Sequence, residues 1–389
     1  MSELTFFHNG EEPVQPKRPV MEAMKRGFAG RCPHCGEGKL FSSFVKPVNA
    51  CSVCGEDLHH QRADDFPAYL NIFIVGHVGV GGFTLGGGMG RLDRKFGLAI
   101  DNLLSATVVT ADGQLLHASD DENPDLFWAL RGGGGNFGVV TEFVYRVHPF
   151  DDNVYAGNLQ YPIDQARDMM TVFAELEQTM PDAINAEPYL YVQDGERMFG
   201  FAVLYAGAPA DGEKLLEPLL AAKTPVFNSL KPDSYARWQT NADEYLGHGK
   251  LNYLKSGFIV EMTPDFIDAF VGNYESDELP TVWYQHLGGA TSRVAGDATA
   301  YAHRDVRFNL GIDAVFTDAA ETDARIRSVR RYYDAMEPYM KGYYTNLNEE
   351  GVEKTWGNYG PNYPRLSELK TKYDPGNLFR LNANIQPAA

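Results

Sequence analysis

Two stretches beyond residue 150 carry apolar side chains at helical spacing. Ala166, Met169, Met170, Phe173 and Leu176 mark one face of a helix, and Ile326, Val329, Tyr333 and Met336 line another. Both stripes read as core-facing surfaces. Between them PYLYVQDGERMFGFAVLY alternates as a strand hairpin turning at Asp194-Gly195. Earlier in the chain SATVVTADGQLLHAS predicts a second hairpin, around a tight turn at Asp112-Gly113. NPDLFWAL then opens a helix with Asn123 as N-cap and Pro124 in the first helical position. RGGGGNFG ends that helix and VVTEFVYRVHPF returns as a strand. Residues 1 to about 25 show no apolar period and are rich in Glu, Pro and Lys, the signature of a disordered leader.

Composition sharpens this picture. A chain of 389 residues with 44% hydrophobic and 12% aromatic side chains suffices for two or three packed domains. Its net charge of -18 repels phosphate backbones and anionic headgroups, so nucleic acid is not an expected partner. The N-terminus lacks the basic-then-apolar order of a secretion signal, which points to a cytoplasmic protein. The longest apolar stretch, Phe66 to Phe83, is interrupted by Pro67, Asn71, His77 and several glycines, and a membrane is not expected as a partner either.

All four cysteines lie within the first 54 residues. Cys32, Cys35, Cys51 and Cys54 have the spacing C-x2-C-x15-C-x2-C, in which two knuckles supply four thiolates to one zinc ion. Gly36 and Gly55 follow the second cysteine of each pair, where a chain turning over the metal needs a positive φ. Two disulfides are the alternative. Four thiolates fill the site, which leaves His34, His59 and His60 as surface residues. The segment from residue 25 to 78 resembles a family of small uncharacterised bacterial proteins in which such a ribbon precedes membrane helices. In that family the hydrophobic part continues; here it stops, so its membrane role is not expected.

Seven glycines fall within residues 79 to 90, a density that offers no packing advantage but lets backbone N–H groups approach a ligand. Tight turns inside a compact fold are the rival reading. There is no Walker motif and no dinucleotide fingerprint after a strand. The longer string GVGGFTLGGGMGRLDRKFGLAIDNLLSATVVTADGQLLHASDDENPDLFWALRGGGGNFGVVTEF resembles the second half of the flavin-binding domain of the berberine bridge enzyme-like oxidases, and YYTNLNEEGVEKTWGNYGPNYPRLSELKTKYDPGNLFRLNANIQP resembles their C-terminal segment. The likeness spans residues 77 to 389.

That resemblance implies an α+β fold: the second half of a PCMH-type FAD-binding domain, and a substrate domain on a large antiparallel sheet, behind the small N-terminal zinc ribbon. The implied divisions are a leader over 1–24, ribbon and linker over 25–76, a partial FAD-binding domain over 77–150, a substrate domain over 151–338, and a berberine-type segment over 339–389 returning to the FAD domain. It also implies FAD as cofactor, a hydride taken from a small organic substrate (an alcohol, an amine-bearing carbon or a sugar) and dioxygen as electron acceptor. Carried over by position, His77, Val78, Gly79, Gly82 and Gly86 face the flavin and its pyrophosphate, Val140 packs near the cofactor and Asn362 bonds the isoalloxazine edge. Tyr359 is the implied proton acceptor, a role that calls for nearby positive charge to lower its phenol, with a buried, satisfied hydroxyl as the alternative. His286, Arg293, His303 and Arg304 are expected either to line a substrate cleft or to form ordinary surface pairs.

The sequence departs from the family in one large respect. The family's cofactor domain begins with a longer half that carries an R-x-G-G-H segment, whose histidine attaches the flavin, and this sequence has none. Val75 stands where some members have a second attachment, a cysteine, so FAD is expected to bind without a covalent link. Missing that half implies open strand edges and exposed apolar faces, and an enzyme truncated to the point of inactivity. The ribbon and the flavoprotein part meet inside IVGHVGV, which suggests a gene fusion or an assembly artefact. The alternative function is a zinc-ribbon interaction module carrying a non-catalytic flavoprotein remnant.

Overall fold

The computed structural model describes residues 26, 31–32, 34–39, 41–43, 46–47, 50–55, 80–243, 245, 247, 249–274, 279–347, 352–381 and 383–388. The chain divides into two compact units, Met1–Gly79 and Val80–Ala389. Among the described residues of the first unit, β1 (Phe41–Ser43) and β2 (Lys46–Pro47) pair antiparallel, and Arg31 bridges Lys39. Gly36 and Gly55 have φ of +77° and +74°, as the knuckle turns require.

The second unit is α+β, and its described strands form two sheets. The smaller has the order β4-β3-β5, from β3 (Leu103–Val109), β4 (Leu115–Ser119) and β5 (Val139–Tyr145). Ala106, Val108 and Ala118 pack inward on α2 (Pro124–Leu130) and the C-terminal α9 (Tyr363–Tyr373). On the outer face Val109 pairs with Leu115 on one side and Val139 on the other. Leu115 is 67% exposed and Val139 56%, and β4 and β5 are both edges of the described sheet.

The larger sheet has eight antiparallel strands in the order β10-β6-β8-β7-β12-β13-β11, with β9 also pairing β6. They are β6 (Asn153–Pro162), β7 (Ile184–Gln193), β8 (Glu196–Tyr205), β9 (Phe227–Asn228), β10 (Lys231–Ser234), β11 (Leu251–Ile259), β12 (Thr281–His286) and β13 (Phe308–Phe316). One face is covered by α3 (Ala166–Glu177), α4 (Pro209–Ala222), α6 (Pro264–Gly272) and α7 (Thr322–Met336), which bury the predicted stripes of Met169, Met170 and Phe173 and of Val329, Tyr333 and Met336. The opposite face carries Glu187, Tyr189, Trp283, Gln285, Asn309 and Asp313. They follow from the register, because each alternates with a residue buried under the helices.

Local chemistry explains where the expected turns held and where they changed. β7 and β8 are joined by Asp194 and Gly195 alone, with φ of +52° and +84°, the two-residue turn that suits strand twist. The Asp112-Gly113 link is longer than the expected tight turn: Gly113 N–H donates to Thr110 O, and Thr110 N–H to Gln114 O, so the reversal spans Thr110 to Gln114. Pro124 does open α2, but Asn123 adopts a left-handed φ of +47° and its side chain donates to His117 O instead of capping.

Candidate functional site

The glycine run begins as a helical turn over residues 80–85 and then doubles back, Gly86 N–H donating to Gly82 O at 3.1 Å. Contrary to the sequence expectation, its middle is demanded by packing. A Cβ on Gly86 would lie 2.0 Å from the Asn346 amide oxygen, and one on Gly88 2.3 Å from the Ala99 Cβ. At Gly82, Gly90 and Gly135, by contrast, a Cβ would meet nothing within 4 Å, so bare backbone borders open space there. Exposed glycines of this kind let a flat, phosphate-bearing cofactor approach the backbone, and the glycines present fit one. His77, Val78 and Gly79 lie outside the described residues.

Two side chains that sequence reasoning missed hold this run. The Tyr344 hydroxyl oxygen accepts from Gly88 N–H and Met89 N–H, both at 3.2 Å, and from the Asn346 amide at 2.9 Å. Asn346 also donates to Phe83 O at 3.0 Å. The glycine run and the start of the C-terminal segment therefore do fold together, although no local pattern in YYTNL announces it.

A second fastening joins RGGGGNFG to the rest of that segment. The Asn136 amide donates to Gly133 O and to the Tyr359 hydroxyl, at 2.9 and 3.2 Å, while its side-chain oxygen accepts from Ile385 N–H at 3.0 Å. Lys370 Nζ, wholly buried, donates to Asn136 O, Asp374 Oδ2 and Phe379 O at 2.8, 2.6 and 2.7 Å. Tyr359 is buried and donates to Ala383 O at 2.8 Å, and burial pushes its phenol up. Among the described residues no cation offsets that rise, so the positive charge expected to lower it is not found beside this phenol there. Asn362, 8% exposed, donates to Gly296 O and Thr299 O at 2.8 and 3.0 Å. Val140 is half-buried against the small-sheet core.

The face of the large sheet turned away from the helices is polar and aromatic. Ser256 Oγ and Asn309 Oδ1 are buried there without partners among the described residues, and the rings of Tyr189 and Tyr191 meet at a tilt, 5.3 Å apart. Asp313, 2% exposed, accepts from Trp283 Nε1 at 3.0 Å and from the Tyr245 hydroxyl at 3.4 Å. Burial raises its carboxyl to about 6, against the pull of those two donors. A lone acid in the otherwise apolar alternation of FNLGIDAVF was the signal that could have found it.

The four basic residues expected at a cleft or on the surface divide differently. His286 lies on the helix-covered face, between the rings of Phe173 and Phe308, and burial followed by the nearby Arg94 lowers it to about 4. Arg94, also buried, donates to Ile184 O and Leu287 O, and Glu177 accepts from Arg307 Nε at 2.9 Å. His303 hydrogen-bonds Gly357 O and Asn358 O in the interior. Arg304 forms a buried bidentate pair with Asp101, at 2.8 Å on both arms. Arg293 alone is the surface pair, with Asp182 at 2.7 Å.

In the first unit Cys32 and Cys54 bring their sulfurs to 3.8 Å, and Cys35 and Cys51 to 3.7 Å, all four lying within 4.8 Å of one another. Thiolates about 2.3 Å from a tetrahedral zinc have edges of about 3.8 Å, whereas a disulfide closes to about 2.05 Å. None of the four is in a disulfide, and the N–H groups of Cys54 and Val53 lower Cys51 to about 6, toward the thiolate a metal needs. His34 is exposed, while His59 and His60 lie outside the described residues. Among the described residues no helix is long and apolar enough to cross a membrane.

Comparison with known proteins bears on both units. Residues 343–386 match the family described as berberine and berberine like, and residues 41–101 match a protein family of unknown function, DUF983. The second match runs past residue 78, where the sequence resemblance was expected to end. An uncharacterised FAD-linked oxidoreductase of Bacillus subtilis, YvdP, is 32% identical over 331 residues, which cover 80% of this chain and 71% of that protein. An FAD-linked oxidoreductase of Dictyostelium discoideum is 30% identical, over 80% of this chain and 69% of its own length. Among solved structures, 6-hydroxy-D-nicotine oxidase from Arthrobacter nicotinovorans superposes with a TM-score of 0.69 at 29% identity, over 79% of this chain and 71% of the other.

Proposed function

This chain belongs to the berberine bridge enzyme-like FAD-linked oxidoreductases, and on that premise we propose that it oxidises a small organic substrate and uses dioxygen as electron acceptor. The observation that carries the reading is the meeting of the two recognised motifs. Tyr344 and Asn346 hold the glycine run, Asn136 and Lys370 hold the C-terminal segment, and Gly82, Gly90 and Gly135 leave backbone facing open space. When bound, FAD supplies the two-electron transfer that no side chain can perform.

The sheet face turned away from the helices takes the substrate. Its tyrosines and Trp283 offer apolar surface, while Ser256 Oγ and Asn309 Oδ1 lie buried in it with no partner among the described residues. Tyr359 is the proton acceptor that the family resemblance names, but its hydroxyl proton is held by Ala383 O and burial disfavours its ionisation. Asp313 suits the role better, since a carboxyl near 6 is ionised at neutral pH and still basic enough to take a proton. The first unit holds one zinc through Cys32, Cys35, Cys51 and Cys54, a structural site because four thiolates leave no open position.

Anaerobic mixing of the FAD-loaded protein with panels of alcohols, amines and sugars tests the reading. At least one class should bleach the flavin, and readmitted dioxygen should restore its colour with peroxide formed. A loaded protein that no member of the panels bleaches supports the alternative, a ribbon module with a non-catalytic remnant.

A further inference from the structure

A second cavity, of about 340 Å3, opens at the β10 edge of the large sheet, and its volume is that of a pocket for a small organic molecule. A break in the edge strand creates it. β9 pairs with β6 at Gln160 and Leu159, β10 pairs with it from Ala156 to Asn153, and between them the chain leaves the ladder beside Gly157. A Cβ on Gly157 would lie 2.5 Å from Leu230 N and Ser229 C, so only glycine admits this crossing. The kink places Lys231 in one wall of the cavity, and α5 (Tyr235–Gln239) places Trp238 in another.

The lining has a definite chemical sense. Its one carboxyl, Asp233, is already paired with Arg237, whereas Lys231 forms no ion pair among the described residues. Trp238 is 6% exposed, and its indole N–H has no acceptor. Behind it the Arg91 guanidinium lies 5.2 Å from the indole ring and donates to Trp238 O at 2.9 Å and Asn241 Oδ1 at 3.2 Å. In a chain of net charge -18, a cavity with an uncancelled cation beside an aromatic wall is selective for an organic anion.

We infer that this cavity binds a small organic monocarboxylate, its carboxylate on Lys231 and its apolar body against Trp238 and Gly157. The site goes beyond the oxidation reaction: its lining residues belong to the large sheet's edge and not to the glycine run. Benzoate titration of the full chain, followed by tryptophan emission, tests it. A saturable change is expected, absent in Trp238→Phe and at least tenfold weaker in Lys231→Ala, with benzyl alcohol and inorganic phosphate giving no such response. No response to benzoate, an undiminished one in Lys231→Ala, or an equal one with either control overturns the inference. Lys231 is exposed, so its variant decides the matter even where Trp238→Phe fails to fold.

Discussion

Asp313 carries the most consequential single ionisation in the second unit. It sits in the middle of β13, its backbone paired on both sides, and among the described residues its side chain hydrogen-bonds with Trp283 and Tyr245. Folding raises its pKa from 3.8 to about 6, so the folded chain holds that proton more tightly than the unfolded chain. The associated stability is complete below pH 4 and is lost as pH climbs through 6, a change of roughly 3 kcal/mol at 1.36 kcal/mol per unit. Urea unfolding across that window should show a falling midpoint in the native protein and a flatter one in Asp313→Asn; parallel slopes would refute the assignment. If Asp313 is also the proton acceptor, kcat/KM rises with pH through about 6, and the same variant loses about 100-fold or more while Tyr359→Phe stays near the native rate. The lone acid of FNLGIDAVF stood in the sequence as a signal, but its raised pKa was not legible there, because its environment is made by β12 and by Tyr245, tens of residues away. Tyr344 and Asn346 were missed for the same reason. The cysteines, by contrast, were legible from spacing alone.

At the level of elements, periodicity located the helices and the β7–β8 hairpin, since each expresses a burial pattern internal to its own segment. The Asn123 cap failed because that side chain found His117 O, a partner supplied by the preceding strand. Glycine density misled in a related way. Gly86 and Gly88 serve contacts with Asn346 and Ala99, which only the folded chain brings near. The element on which the cradle most depends is α9, tied down through Lys370. Asp374, in which burial is outweighed by Lys370 and the N–H groups of Leu378 and Phe379, stays ionised below its ordinary carboxyl range. Lys370→Met leaves that buried carboxylate without its cation, so a loss of about 3–5 kcal/mol is expected in denaturant unfolding. A loss under 1 kcal/mol would show that α9 is held by its apolar face alone. FAD affinity should fall with it, because Lys370 also holds the carbonyl of Asn136 next to Gly135.

The whole molecule joins two compact units with separate chemistry. Its ribbon resembles one family and its larger part another, and the sequence showed both because glycine runs and paired cysteines keep their spacing whatever surrounds them. What remained hidden was the packing between distant segments, which no single stretch encodes. With separate cores, the units should respond separately to metal removal: a chelator is expected to release about one zinc per chain while the large-sheet unit keeps its unfolding transition and any bound flavin. Loss of that transition on chelation would mean that the ribbon supports the larger unit. The account rests above all on the flavin cradle between the glycine run and the C-terminal segment. Titration of the purified full chain with FAD, followed by quenching of flavin fluorescence, tests this directly. Saturable quenching near one FAD per chain, weakened in Tyr344→Phe, is the result predicted; unquenched fluorescence in a folded sample would contradict it.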